Sequence, residues 1–140
     1  MVGTTTVVLG GGVGGLVTAS ELRHRLGSEH RVVLVDRAGQ HVFWPSLLWL
    51  QVELREPRNF VRDLGALEKK GIEVVRGEVR ALDPGRRSVQ VDGRTLQADY
   101  LVVSLGAQLA PEHIPGLAGA GPLLYTLEGA TATGSSLTVP

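Results

Sequence analysis

The chain has 140 residues, of which 43% are hydrophobic, so its length predicts one domain with a substantial core. Its 14 basic and 14 acidic residues give a net charge of zero, which argues against a nucleic-acid partner. Cysteine is absent, which excludes disulfides, thiolate metal sites and cysteine nucleophiles within these residues.

The first predicted elements are a strand, a helix and a second strand. Residues 4–9 form a β-branched run that ends in glycines, which is typical of a buried strand. A helix follows, because small and apolar residues recur at helical spacing from Gly15 to Leu26. The unbroken apolar run within residues 31–36 favours a parallel strand covered on both faces. Together these elements predict a βαβ unit.

The middle of the chain is less regular. Residues 41–57 carry both tryptophans and fit no simple periodicity. Asn59 is predicted to cap a helix with Phe60, Leu64 and Leu67 on its inner face, ending at Gly71. Residues 72–75 are predicted to form a third strand.

A change of pattern follows the third strand. Three short segments, 78–83, 87–91 and 94–98, are separated by the turn dipeptides Pro84-Gly85 and Asp92-Gly93. This arrangement predicts a three-stranded antiparallel meander. Another buried strand is predicted over 100–104, and little periodicity remains over 129–140.

The glycine-rich segment after the first strand satisfies the pattern G-x-G-x-x-G. In this pattern Gly10 allows the tight turn, Gly12 lets a pyrophosphate approach the backbone, and Gly15 lets the helix pack closely on the sheet. The start of the helix, at Val13 and Gly14, then offers free N–H groups and a positive dipole to phosphates. The segment is therefore predicted to bind a dinucleotide.

An acidic residue ends the second strand at the position that this kind of site requires. Asp36 follows Gly15 by 21 residues, where its carboxylate can accept hydrogen bonds from ribose hydroxyls. The same carboxylate would repel a 2′-phosphate, so an unphosphorylated ribose is predicted. Arg37 has two interpretations, a surface arginine or one that lies over the adenine. The loop alone does not separate FAD from NAD.

The downstream layout resembles the FAD-dependent pyridine nucleotide-disulfide oxidoreductases, and within them the sulfide:quinone oxidoreductases and type II NADH dehydrogenases. The resemblance extends from residue 3 to about residue 128. It rests on six stretches of sequence: VVLGGGVGGL at 7–16, VLVD at 33–36, HVFWPSL at 41–47, GEV at 77–79, DYLVVSLGA at 99–107 and IPGL at 114–117.

The resemblance implies an α/β fold: a Rossmann-like FAD-binding domain with a parallel sheet and a three-stranded antiparallel meander. Residues 1–128 would form this domain in part, with the C-terminal part of the fold missing, and residues 129–140 would form an irregular tail. The chain is thus expected to be the N-terminal fragment of a longer flavoprotein, and to be inactive alone.

The resemblance also implies roles for particular residues. The residues that would bind the FAD pyrophosphate are Gly10, Gly12, Val13, Gly14 and Gly15. Asp36 would bind the adenosine ribose, the Val79 backbone would meet the adenine, and Pro45 with Ser46 would approach the isoalloxazine ring. Ser104, Leu105 and Gly106 would pass close to the cofactor. The plainer interpretations are a core residue of the meander for Val79 and an ordinary turn for Pro45. No catalytic residue and no metal ligand is predicted.

The resemblance implies that the parent protein passes electrons from sulfide or NAD(P)H to a quinone. Two departures from the family pattern stand out: Ser104-Leu105 precedes Gly106 where the family usually has Ala-Thr-Gly, and the cysteines that carry sulfur in sulfide oxidation are absent. Two alternatives remain open, a free-standing NAD-binding Rossmann domain and a truncated non-catalytic remnant that self-associates. The protein is expected in the cytoplasm, either free or peripheral to a membrane.

Overall fold

A computed structural model of the chain describes residues 3–136. The described residues divide into two compact units. The first unit runs to His41 and resumes over Asp63–Gly106, whereas the second comprises Val42–Arg62 and continues from Ala107.

The elements of both units are numbered here in chain order. The strands are β1 (Thr5–Leu9), β2 (Arg31–Asp36), β3 (Gln40–Val42), β4 (Val61–Asp63), β5 (Glu73–Arg76), β6 (Val79–Asp83), β7 (Ser88–Val91), β8 (Arg94–Gln97) and β9 (Tyr100–Val103). The α-helices are α1 (Val13–Arg25), α2 (Leu47–Gln51), α3 (Pro57–Phe60) and α4 (Leu127–Ser136). Short 3₁₀ helices cover Trp44–Ser46, Leu64–Lys70, Pro111–His113 and Leu117–Gly119.

A four-stranded parallel sheet forms the centre of the first unit, in the order β5-β2-β1-β9. The apolar residues of β1 and β2 are buried, and Val8 and Leu34 have no exposed surface. Such continuous burial is expected where a parallel sheet is covered on both faces. The predictions of a βαβ unit and of buried strands over 4–9 and 31–36 are confirmed. The predicted buried strand over 100–104 forms β9, but Tyr100 and Val103 are exposed because β9 is an edge strand of this sheet.

Two different layers cover the faces of this sheet. Helix α1 covers one face, where the buried Ala19 packs with Val8, Leu34 and Ile72. Strands β6, β7 and β8 form the predicted antiparallel meander. Residues of β7 pack with Val7 and Val35 on the other face. The sheet therefore lies between a helix and a meander, and the carboxyl ends of β1, β2 and β9 lie along one edge.

The predicted helix from Asn59 to Gly71 is wrong. Helix α3 ends at Phe60, strand β4 pairs with β3, and a 3₁₀ helix covers Leu64–Lys70. The break comes from the pairing of β4 with β3. The 3₁₀ helix after it starts at Asp63, whose carboxylate accepts the Gly65 N–H at 3.2 Å. Phe60 and Leu64 match helical spacing, yet they belong to different core clusters.

The second unit packs α2 against α4 around Leu47, Leu50, Phe60 and Ala130. Helix α4 corrects the prediction of an irregular tail over residues 129–136, whereas residues 137–140 lie outside the described part. Small residues make this contact, since a Cβ on Gly134 would lie 3.0 Å from the Leu50 carbonyl oxygen. A helix that packs through glycine and alanine carries no periodicity of large apolar residues, so the sequence pattern missed it.

The 3₁₀ helix Leu64–Lys70 ends at Gly71, which is in the left-handed conformation. Gly71 has a φ of +79° and its N–H donates to the Glu68 carbonyl oxygen at 2.9 Å. Gly71→Ala is expected to lower the free energy of unfolding by about 1 kcal/mol, because residues with a Cβ are strained in this conformation. Urea denaturation measures the change. The control is Gly119→Ala, since a Cβ there meets nothing within 4 Å. Equal stability of the two variants would contradict the prediction.

Candidate cofactor site

The turn between β1 and α1 is built on Gly10. This residue has a φ of +99°, and its N–H donates to the Val35 carbonyl oxygen at the end of β2, at 2.7 Å. A Cβ on Gly10 would overlap the Ser104 carbonyl oxygen at the end of β9. The conformation and the close approach of β9 therefore both require glycine here.

Gly15 brings the first turn of α1 against this turn. It is buried, and a Cβ on it would overlap the Gly10 carbonyl oxygen and lie 3.5 Å from Val8 Cγ1. The helix thus begins in direct contact with the backbone of the glycine loop. This is the close helix–strand packing that the third glycine of such a motif permits.

The start of α1 is open to a ligand. Gly12, the N-cap, has a φ of −67° and a ψ of −176°, and no side chain caps the helix there. The first intrahelical hydrogen bond runs from the Leu16 N–H to the Gly12 carbonyl oxygen at 2.9 Å. The N–H groups of Val13, Gly14 and Gly15 precede it, so they have no carbonyl partner within the helix. A Cβ on Gly12 would meet nothing within 4 Å. An exposed helix N-terminus with this open glycine fits a pyrophosphate group.

Asp36 connects the end of β2 to the glycine loop. Its Oδ2 accepts the Gly11 N–H at 2.8 Å, and its Oδ1 accepts the N–H groups of Ala38 and Gly39 at 2.9 and 2.8 Å. A carboxylate offers about four acceptor sites, so Oδ2 retains capacity for one further donor. The half-buried Asp36 therefore orders both loops and still fits a ribose hydroxyl.

The residues after β9 lie beside the same turn. The Ser104 N–H donates to the Leu9 carbonyl oxygen at 2.9 Å, and a Cβ on Gly14 would lie 2.8 Å from Ser104 Oγ. Leu105 is exposed, and Gly106 has a φ of +73° with open space around it. The structure thus brings this segment to the glycine loop.

Three further predicted residues lie in different surroundings. Val79 begins β6, pairs with Val91 and packs against the core, as its plainer interpretation requires. Arg37 is exposed directly after Asp36. Pro45 lies in the 3₁₀ helix Trp44–Ser46, which belongs to the second unit.

Gly11 and His41, to which the sequence-based prediction assigned no role, also contribute to the site. Gly11 occupies a variable position of the motif, yet it is buried, and a Cβ on it would overlap Leu64 Cδ1. His41 Nδ1 lies 2.9 Å from the Gly11 carbonyl oxygen. The run of three consecutive glycines was the available signal for Gly11, whereas no sequence pattern indicates the contact with Leu64.

Residues 3–136 contain neither a metal-binding cluster nor a membrane-spanning helix. Within that range no group of three or more His, Asp or Glu side chains could hold a metal ion. No helix in the same range is long and apolar enough to cross a membrane.

Residues 4–138 match the family profile described as "Pyridine nucleotide-disulphide oxidoreductase". The chain is 30% identical over 112 residues to the mitochondrial sulfide:quinone oxidoreductase of Mus musculus. The match covers 79% of this chain and 25% of that protein. It is 32% identical to the alternative NAD(P)H-ubiquinone oxidoreductase C1 of Arabidopsis thaliana, in an alignment 150 positions long. This alignment covers 93% of this chain and 28% of that protein.

A solved structure shows the same architecture. The sulfide:quinone oxidoreductase from the hyperthermophilic bacterium Aquifex aeolicus superposes with a TM-score of 0.89 at 28% identity. The superposition covers 96% of this chain and 31% of that one. The chain spans about a quarter of the length of the two curated relatives described above.

Proposed function

The chain belongs to the pyridine nucleotide-disulphide oxidoreductase family, and we propose that it supplies the FAD-binding portion of a quinone-reducing flavoprotein. FAD is the cofactor of this family. The quinone is proposed because relatives of the chain are named as sulfide:quinone and NAD(P)H-ubiquinone oxidoreductases. The electron donor is proposed to be sulfide or NAD(P)H.

The observation that supports this proposal most strongly is the open start of α1 next to the Asp36 carboxylate. The N–H groups of Val13 and Gly14 would hold the pyrophosphate at the position that Gly12 leaves free. Oδ2 of Asp36 would accept a ribose hydroxyl while it keeps its bond to the Gly11 N–H. These residues bind and orient the adenosine half of the cofactor.

The remaining residues are proposed to line the rest of the cofactor. The Val79 backbone would meet the adenine, Ser104 to Gly106 would run alongside the cofactor, and Pro45 would approach the isoalloxazine ring. Arg37 would either lie over the adenine or stay in solvent. When bound, the flavin supplies the chemistry of accepting an electron pair from a donor and releasing it to an acceptor. The described residues contribute binding and orientation, and none of them is assigned a role as acid, base or nucleophile.

A comparison of the affinities for FAD and NADH tests the proposal against the alternative of an NAD-binding domain. The purified chain is titrated with FAD, followed by the quenching of flavin fluorescence, and separately with NADH by calorimetry. FAD is expected to bind about ten-fold more tightly than NADH, a difference of about 1.4 kcal/mol. Tighter binding of NADH would favour the alternative and contradict the proposal.

A further inference from the structure

Gly11 is held at both of its polar backbone atoms by side chains. Its N–H donates to Asp36 Oδ2 at 2.8 Å, and its carbonyl oxygen lies 2.9 Å from His41 Nδ1. Gly11 is buried, and Leu64 closes the space beside its Cα. Among the hydrogen bonds of residues 3–136, Gly11 is the one residue of the glycine loop that side chains contact at both the N–H and the carbonyl oxygen.

The contact fixes which atoms of the His41 ring carry protons. A carbonyl oxygen is only an acceptor, so His41 Nδ1 must be the donor. The neutral imidazole is therefore the Nδ1–H tautomer, because one ring nitrogen donates and the other accepts in that form.

The hydrogen bond from His41 affects the orientation of the Gly12 N–H, because both groups belong to the peptide bond between Gly11 and Gly12. The Gly11 carbonyl and the Gly12 N–H belong to one peptide group, which is planar, and no cis peptide bond occurs among the described residues. Fixing the direction of the carbonyl therefore fixes the Gly12 N–H in the opposite direction. Gly12 is exposed at the open start of α1.

The backbone beside His41 is itself anchored. Gly39, two residues before His41, donates its N–H to Asp36 Oδ1 at 2.8 Å, and its carbonyl oxygen accepts the Leu64 N–H at 3.0 Å. The imidazole is half-buried on β3. A donor on a fixed strand can orient the loop before any ligand arrives, which lowers the ordering cost of binding.

We propose that His41 is a positioning residue of the phosphate-binding loop. By holding the Gly11 carbonyl it sets the direction of the Gly12 N–H for the pyrophosphate of the cofactor. The inference rests on the proposed function in naming the pyrophosphate as the ligand. The orientation of the Gly12 N–H does not depend on that assignment.

Two substitutions separate positioning from simple packing. In His41→Asn a side-chain N–H remains close to the place of Nδ1, whereas His41→Leu retains an apolar side chain without a donor. His41→Leu is expected to weaken FAD binding about ten-fold, and His41→Asn to remain within about three-fold of the wild type. Urea denaturation of both variants serves as the control for folding. Equal FAD affinity of His41→Leu and the wild type would overturn the proposal.

NMR of the cofactor-free protein gives a readout that needs no cofactor. The ¹⁵N shifts of the His41 ring are expected to show the Nδ1–H tautomer at alkaline pH. The Gly12 amide resonance is expected to move in His41→Leu and to return towards its wild-type position in His41→Asn. An Nε2–H tautomer, or an unmoved Gly12 resonance in His41→Leu, would overturn the proposal. Failure of the wild type to bind FAD, with these NMR results as expected, would instead reject the proposed function of the loop.

Discussion

Gly15→Ala is expected to lower the free energy of unfolding by about 3 kcal/mol, at the upper end of the usual cost of overpacking. The added methyl group would overlap the Gly10 carbonyl oxygen, which is backbone and cannot rotate away. The Gly10 turn is itself pinned, because its N–H donates to Val35 in the neighbouring strand. Either α1 must leave the sheet or the turn must open. Urea denaturation followed by circular dichroism measures the loss.

Gly12→Ala is the matched control for Gly15→Ala, because the same methyl group is added three residues earlier. A Cβ at Gly12 meets nothing within 4 Å, and its φ of −67° suits alanine. The stability cost is expected to stay below about 1 kcal/mol, the scale of a weakened N-cap. The methyl group would instead fill the approach of the pyrophosphate, so FAD affinity is expected to fall at least about ten-fold. Equal losses of stability in the two variants would contradict this division of roles.

Asp36→Asn is expected to impair stability and cofactor binding together. The carboxylate accepts three backbone N–H groups through its two oxygens. An amide has a single acceptor oxygen, so either Gly11 or the pair Ala38 and Gly39 would face an NH₂ group. Leaving a backbone donor unpaired in this way is expected to cost about 2 kcal/mol. The ribose would also lose its anionic acceptor, and FAD affinity is expected to fall at least about ten-fold.

Asp99→Asn is the control for Asp36→Asn. The Asp99 carboxylate is exposed and accepts the Thr5 N–H at 2.7 Å through Oδ2. The oxygen of an asparagine can accept the same bond, so little change in stability or FAD affinity is expected. Urea denaturation and FAD titration of the two variants give the comparison. If they behave alike, Asp36 has no special role in ordering the loop or in holding the ribose.

The strands of the first unit could be predicted because their signals are local. Strand β2 was predicted over 31–36, its observed bounds, from one unbroken apolar run. The meander followed from two turn dipeptides, and Gly93 indeed has the left-handed φ of such a turn, at +79°. The proximity of Asp36 to the glycine loop follows from parallel pairing of β1 with β2, since neighbouring carboxyl ends share one edge.

The features that sequence reasoning missed depend on contacts between distant residues. The predicted helix is interrupted at residues 61–63 because β4 pairs with β3, and no local sequence pattern predicts this pairing. Helix α4 packs through small residues, so the amino-acid composition of its sequence is typical of a loop. The two side chains that hold Gly11 are 25 and 30 residues away from it. The sequence motif shows that Gly11 lies in the glycine loop. Its partners, Asp36 on β2 and His41 on β3, can be identified only from the three-dimensional positions of these strands.

Competition with fragments of FAD tests the central claim, that the glycine loop and Asp36 bind the adenosine half of this cofactor. ADP carries the adenosine and the pyrophosphate, whereas FMN carries the flavin without the adenosine. The chain, loaded with FAD, is mixed with increasing amounts of each fragment, and the FAD released into the filtrate is separated by liquid chromatography and measured. ADP is expected to displace FAD at concentrations at which FMN does not. Displacement by FMN and not by ADP would contradict the claim.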